Sequence, residues 1–319
     1  MNSRKKIAIL LYRYFPYGGL QKDFLEIAKE LLSRDVTLKV FTRRWEGHIP
    51  EGLSVTEFGQ RGFTNYAKNK NFVKDSFKIL ERYKPDLVFG FNKMPGLDLY
   101  FAADSCFKKE SLNKHAITKF TRRFRQSIEY EKAVFESNAS TEVFLLNNKQ
   151  AEDFKNSYHV DCNQMIIVPP GIDPNWNDHD PLEIHSFFDI QLEDKIALFV
   201  GSDFHRKGLD RAISSIHNLN SCNIPFTLLV IGKDNFGPYS ELVQNYGLNE
   251  KVKYLGPRDD VASIMKSSDL LLHPAREEAA GNVIIESLVS HLPVATCKEV
   301  GFAEEVKNCK GGFVLEEEF

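Results

Sequence analysis

Long apolar runs are missing from this chain. Nothing in its 319 residues approaches the roughly 18 consecutive apolar residues that a membrane-spanning helix needs. The first apolar run, Ile7 to Leu11 behind Arg4-Lys5-Lys6, is also too short for an export signal, so a cytoplasmic location is expected. Sulfur is sparse and scattered. Five cysteines (Cys106, Cys162, Cys222, Cys297, Cys309) form no Cys-x-x-Cys pair, which argues for a reducing compartment and against a disulfide framework or a zinc site. Neither charge dominates: 41 Lys and Arg stand against 44 Asp and Glu, a net charge of -3. A global basic field for nucleic acid is therefore excluded, and any anion binding must come from a local patch. There is no Gly-x-Gly-x-x-Gly, which disfavours NAD. No metal or other cofactor is expected: Asp178-His179-Asp180 mimics a metal-binding Asp-x-Asp, but it follows a proline-rich linker rather than a core strand and reads as solvated loop.

What is present is a globular composition, 42% hydrophobic and 27% charged, on a chain long enough for two domains. Short apolar runs alternate with amphipathic ones, the pattern of parallel sheets covered by helices. Strands are expected at Ile7–Leu11, Leu38–Phe41, Pro85–Gly90, Val143–Leu146 and Met165–Val168, with a helix marked by Leu20, Phe24, Ile27, Ala28, Leu31 and Leu32. Pro169-Pro170-Gly171-Ile172-Asp173-Pro174 then interrupts both periods and is read as the linker. A second series follows, with strands at Ile196–Gly201, Thr227–Ile231, Val252–Leu255, Leu270–Leu272 and Val294–Thr296. The expectation is α/β: two Rossmann-like doubly wound domains, residues 1–168 and 169–319, facing each other across a cleft. Their ligands should lie beyond the carboxyl ends of the strands. The second series stops after a strand-like Gly312-Phe313-Val314, so its domain is expected to be incomplete through truncation.

Three loops carry candidate chemistry. Gly18 and Gly19 lie between the first strand and the first helix, where glycine lets backbone approach a ligand and free helix N–H groups face an anion; a tight turn is the plain alternative. Arg206 and Lys207 follow Gly201-Ser202-Asp203-Phe204-His205, again between strand and helix, and suit a diphosphate unless they are merely solvated. Glu278 and Glu286 bracket Ala279-Ala280-Gly281-Asn282-Val283. The small residues there leave room for a ligand at a helix start, and the carboxylates can accept from sugar hydroxyls or simply favour the helix dipole. A fourth feature is basic. Between Lys108 and Arg125, Lys108, Lys109, Lys114, Lys119, Arg122, Arg123 and Arg125 face one acid, Glu110, a local +6. Ile117, Phe120, Phe124 and Ile128 recur within and beyond it at helical spacing. Such a segment fits an anionic membrane surface, with a solvated helix as the alternative.

The seven-residue separation of Glu278 and Glu286 after the Asp269–Pro274 strand resembles the signature of glycosyltransferase family 4. Tyr14-Phe15-Pro16-Tyr17-Gly18-Gly19-Leu20-Gln21, Trp45-Glu46-Gly47, the segment from Gly90 to Asp104, Pro169–Ile172, Gly201–Phe204, Arg206–Gly208 and Glu278–Gly281 narrow the resemblance to its lipopolysaccharide core glucosyltransferases, over essentially the whole chain. The resemblance implies the GT-B architecture and transfer of a hexose, with retention, from UDP-glucose or a related UDP-hexose to a heptose of a lipid-linked core oligosaccharide, at the inner face of the inner membrane. It implies that Glu286 holds the ribose, Arg206 and Lys207 the diphosphate, and Gly19 a phosphate through its backbone. Glu278 and the backbone of Ala280, Gly281, Asn282 and Val283 would hold the hexose, with Asp104, or alternatively Asp98, on the acceptor side. The membrane contacts would be Lys108, Lys109, Lys119, Phe120, Arg122, Arg123, Phe124 and Arg125. His205 departs from the glycine often found beside the arginine. A sugar-nucleotide 2-epimerase of the same architecture, and a catalytically weak nucleotide-sugar-binding partner protein, remain open at this point.

Overall fold

The computed structural model describes residues 4–16, 18–113, 116–136 and 139–316; Tyr17, Lys114 and the terminal Glu317-Glu318-Phe319 lie outside them. The chain divides into two compact units, Met1–Pro170 and Gly171–Phe319. In the first, seven parallel strands run β1 (Lys6–Leu11), β2 (Thr37–Thr42), β3 (Ser54–Glu57), β4 (Leu87–Gly90), β5 (Leu99–Ala102), β6 (Glu142–Leu145) and β7 (Met165–Ile167), in the order β3-β2-β1-β4-β5-β6-β7. In the second, β8 (Lys195–Val200), β9 (Phe226–Ile231), β10 (Val252–Gly256), β11 (Leu270–His273), β12 (Val294–Cys297) and β13 (Gly312–Leu315) form a parallel sheet ordered β10-β9-β8-β11-β12-β13. The order reverses between β1 and β4 in one sheet and between β8 and β11 in the other, the places where doubly wound sheets open a crevice for ligands.

The central strands are apolar on both faces, as helices on both sides require. Ile7 to Leu11 are all buried, as is the whole of β9. The first core joins β1, β5 and β6 to Phe72, Val134, Phe135 and Phe154, with Phe135 and Phe154 stacked at 3.7 Å. The second packs Phe199, Phe204, Leu209, Ile213 and Ile216 against Leu228 and Val230. Helix starts follow local chemistry: Thr64 accepts from the Ala67 N–H before Asn65–Tyr83, and Asn147 from the Gln150 N–H before Asn148–Ser157.

Two strands are absent from the sequence reading. β3 (Ser-Val-Thr-Glu) is a half-exposed edge strand without an apolar run, and β5 is only four residues long. One expectation is overturned. Ile117, Phe120, Phe124 and Ile128 do not share one helix. The segment comprises Phe107–Glu110, a 3-10 turn Ser111–Asn113, Ala116–Lys119 and Arg122–Phe135. It breaks at Thr121 because that hydroxyl accepts from the Phe124 N–H and begins a new helix. Among the described residues, no helix is long and apolar enough to cross a membrane.

Candidate functional site

In the second unit, β8 passes through a short loop into a helix, and β11 through residues 274–281 into another. After β8, Asp203 adopts a left-handed conformation (φ 62°) and starts the short helix Phe204–Lys207, which Gly208 (φ 77°) ends. Gly208 cannot be another residue: a Cβ there would lie 2.1 Å from the Pro274 carbonyl oxygen. This close approach sets the loop bearing Arg206 and Lys207 directly against the end of β11. Arg276 stitches the same seam, its N–H donating to the Arg206 carbonyl at 2.8 Å while its guanidinium grips Asp210 at 2.8 and 2.6 Å.

Glu278 lies where these loops meet. Its Oε2 accepts from Arg206 Nη1 at 3.0 Å and Lys207 Nζ at 2.9 Å, and the side chains of Lys207 and Glu278 are only 14% exposed. Burial alone would raise its pKa; Lys207 and Arg206 reverse that and hold the carboxyl below its usual range. Arg206 also donates through Nε to Asp203 Oδ2 at 2.9 Å and through Nη1 to the Glu277 carbonyl at 3.0 Å. Glu278 and Asp203 together balance the charges of Arg206 and Lys207, and Arg206 is 39% exposed.

The following loop is held from behind. The Gly301 and Phe302 N–H groups donate to the carbonyls of Glu278 and Ala280, both at 3.0 Å. Gly281 (φ 85°) caps the helix Asn282–Val289, and a Cβ on it would meet Val300 at 2.9 Å. Ala280, Gly281 and Val283 are buried, and Asn282 half-buried, at a helix amino terminus whose first N–H groups have no partner within the helix. Glu286, half-buried, comes one turn later on that helix. His205 is exposed, and only its carbonyl is engaged, by Arg276 Nη1 at 2.7 Å.

His273 escaped the sequence reading. It ends β11 fully buried, and neither ring nitrogen has a hydrogen-bond partner among the described residues. Burial, then the charge of Lys207, pushes its pKa down to about 3, so the ring is neutral. The available signal was a polar residue closing an otherwise apolar strand, immediately before proline.

In the first unit, Gly18 and Gly19 open the helix Gly19–Ser33 after β1. A Cβ on Gly18 would strike Gln21 Oε1 at 1.8 Å, whereas one on Gly19 would meet nothing within 4 Å. Gly19 therefore offers open backbone. Asp104 is exposed in the loop after β5, and that loop is clamped. Gln150 Nε2 donates to the carbonyls of Ala102 (2.6 Å) and Asp104 (2.9 Å), and Lys93 Nζ to that of Ser105 (2.7 Å). Lys93 also pairs with the fully buried Glu131 at 2.5 Å. Glu131 accepts in addition from the N–H groups of Phe107 and Lys108, each at 2.8 Å, and from the Tyr158 hydroxyl at 2.7 Å. Asp98 lies at the other end of β5, where its carboxylate accepts from the Val88 N–H at 2.7 Å and ties β5 to β4.

The basic segment is only partly free. Lys109 pairs with Asp153 at 2.5 Å, and Lys108 donates to the Ser157 carbonyl and lies 4.5 Å over the Tyr158 ring. Phe124 packs on Phe107 at 5.4 Å and is half-buried. Lys119, Arg122, Arg123 and Arg125 are exposed, alongside Leu112 (71% exposed), Ile117 (83%) and Phe120 (74%). Leu112 was not anticipated. Among the described residues no three His, Cys, Asp or Glu side chains are grouped as a metal site would need, and Asp178-His179-Asp180 lies exposed, its His179 carbonyl taken by Lys266.

Residues 17–176 match the profile of Glycosyltransferase Family 4, and residues 182–318 that of Glycosyl transferases group 1. The chain is 37% identical to the lipopolysaccharide glucosyltransferase WaaG of Escherichia coli (strain K12), over 98% of its own length and 86% of that protein's. It is 22% identical to a D-inositol 3-phosphate glycosyltransferase of Stackebrandtia nassauensis, over 93% of this chain and 75% of the other. Among solved structures, WaaG, a glycosyltransferase involved in lipopolysaccharide biosynthesis, superposes with a TM-score of 0.92 at 36% identity, covering 98% of this chain and 86% of that one. Anabaena HepE in complex with UDP and glucose shares the fold, with a TM-score of 0.71 at 18% identity, over 98% and 85% of the two chains.

Proposed function

Because this chain belongs to glycosyltransferase family 4 and, within it, to the family of the lipopolysaccharide glucosyltransferases, we propose that it transfers glucose from UDP-glucose to a heptose of the lipopolysaccharide inner core, with retention at the anomeric carbon. The observation that carries this reading is the Arg206–Lys207–Glu278 cluster at the switch point of the second sheet. The leaving diphosphate gains negative charge as the glycosidic bond breaks. The guanidinium of Arg206 and the ammonium of Lys207, held in place by Glu278 and Asp203 before substrate arrives, stabilise that charge without reorganising. The helix amino terminus at Asn282 adds a dipole of the same sign, so no divalent metal is required.

In this reading Glu286 accepts from the ribose hydroxyls. Glu278 and the backbone of Ala280, Gly281, Asn282 and Val283 hold the hexose, and Gly18 and Gly19 give a phosphate access to backbone. Asp104 steers the acceptor hydroxyl. Retention follows from attack on the face the diphosphate leaves, with the leaving phosphate taking the acceptor proton. The acceptor is a lipid-linked oligosaccharide, and the protein meets it as a peripheral protein at the inner face of the inner membrane. Lys119, Phe120, Arg122, Arg123 and Arg125, joined by Ile117 and Leu112, form the contact with anionic lipid.

A screen of UDP-sugars against core-truncated lipopolysaccharide, reading UDP release and the anomeric configuration of the product, tests the proposal. Acceptor-dependent UDP release with UDP-glucose and an α-linked product is expected. Free sugar or an epimerised nucleotide as the product, or strict dependence on a divalent cation, would overturn it.

A further inference from the structure

Three arginines crowd the carboxyl ends of β1 and β2 in the first unit: Arg13, Arg43 and Arg44. One carboxylate serves two of them. Glu46 Oε1 lies 2.5 Å from Arg13 Nη2 and 3.0 Å from Arg44 Nε. Glu57, the other acid nearby, accepts from the Trp45 N–H at 3.1 Å. Arg43 has no carboxylate within ion-pair distance among the described residues. Its Nε donates to the Tyr12 carbonyl at 3.3 Å, its guanidinium lies 5.1 Å over the Tyr12 ring, and its Nη1 is buried without a hydrogen-bond partner among the described residues. Burial lowers its pKa, yet an arginine keeps its proton, so a charged donor is held here in want of an acceptor.

The place is informative. Tyr12 closes the end of β1 at the switch point, its N–H donating to Asn92 Oδ1 at 2.7 Å. The Tyr12 hydroxyl donates to the Lys93 carbonyl at 3.3 Å, and Lys93 Nζ donates to the carbonyl of Ser105, the residue after Asp104, at 2.7 Å. Tyr12 therefore links the Arg43 guanidinium over its ring to the loop that carries Asp104, the residue assigned to the acceptor. We propose that Arg43, flanked by Arg13 and Arg44, binds an anionic group, a phosphomonoester or a carboxylate, carried by the sugar acceptor. The fork of Arg43 matches either oxyanion, and the two flanking arginines, sharing Glu46, leave a surplus of positive charge around it. This rests on the acceptor role proposed above and narrows that acceptor to an anionic sugar.

The test has two arms on the full chain. In calorimetry with saturating UDP present, so that the nucleotide site is filled, the wild type should bind inorganic phosphate. Arg43→Gln should weaken that binding about tenfold or more, the scale of one charge-assisted contact, and Arg43→Lys should fall between. Arg61→Gln, which alters an exposed arginine paired with Asp75, should match wild type. In the second arm, kcat/KM is compared for a methyl heptoside, its phosphomonoester and its uronic-acid analogue. The wild type should favour an anionic acceptor, the preferred analogue identifies the group, and Arg43→Gln should erase the preference. Equal phosphate affinity in wild type and Arg43→Gln, or no preference for either anionic acceptor, overturns the proposal. Arg43-dependent phosphate binding with no transfer to any acceptor would instead count against the glycosyltransferase assignment and leave the anion site standing.

Discussion

The two sheets share one winding, yet their carboxyl edges are equipped differently. At the edge of the second, the charges about Arg206 pair with one another: Glu278 binds Arg206 and Lys207, Asp203 binds Arg206, and Asp210 binds Arg276. At the edge of the first, Asp104 is exposed and Arg43 has no carboxylate among the described residues, while the neutralised pair Lys93–Glu131 sits below the surface and holds the loop in place. One edge is an internally balanced set of ion pairs. The other is a braced platform with its charges left for the ligand. The difference teaches that strand order fixes where a ligand goes, and the local charge inventory decides what kind of ligand it is.

The comparison can be broken from the first unit downward. Glu131→Ala strips the brace and leaves Lys93 buried without its partner. A loss of about 3–5 kcal/mol is expected in denaturant unfolding, and wild-type stability would mean that Glu131 supports nothing. Replacing Lys119, Arg122, Arg123 and Arg125 by glutamine should release the protein from anionic vesicles, at about 1 kcal/mol for each charge. The wild-type contact should fade with salt as the Debye length falls to about 3 Å at 1 M. Co-sedimentation of the quadruple variant at wild-type levels would assign the patch to solvent.

In the second unit, Arg206→Ala and Lys207→Ala should lower turnover by roughly 100- to 1,000-fold, and more than they weaken UDP binding, because leaving-group charge peaks in the transition state. Equal effects on kcat and on UDP affinity would make the cluster a binding site only. Glu286→Ala should cost about 1.5–3 kcal/mol of UDP-glucose affinity with the melting temperature preserved; unchanged calorimetry would place the ribose elsewhere.

The smallest effect concerns pH. His273 stays neutral down to about 3 in the fold, against 6.5 unperturbed. As pH falls between those values the unfolded chain binds the proton first, so stability declines, by about 1 kcal/mol from pH 7 to 5.5. His273→Gln should flatten that slope, and an unaltered slope would show that the ring titrates in place.

Much of this was legible in the sequence, for identifiable reasons. Ile7–Leu11 and Ile196–Val200 announce themselves because a doubly covered strand must be apolar on both faces. Arg206 and Lys207 stand out as paired basic residues on the loop after a strand, and Glu278 through its spacing from Glu286. β3 was not legible, since Ser-Val-Thr-Glu carries no pattern that a loop could not. Nor were Glu131, Gln150 and Arg43. Each acquires meaning only from partners distant along the chain, such as Lys93 for Glu131 and Ala102 for Gln150, or, for Arg43, from a buried donor left unmatched. The helical spacing from Ile117 to Ile128 misled because periodicity counts residues and cannot see a hydroxyl such as that of Thr121 ending one helix and beginning another.

The closeness of Gly208 to the Pro274 carbonyl has a consequence for how such a protein can vary. Any side chain at Gly208 collides with backbone, so a scan of all substitutions should find that position closed, while exposed His205, three residues earlier, accepts many. Variation can therefore recolour the loop, exchanging one exposed side chain for another, but it cannot widen the gap between the ends of β8 and β11. A lineage exploring new donors would keep this spacing as a fixed gauge and do its searching in the side chains mounted on it.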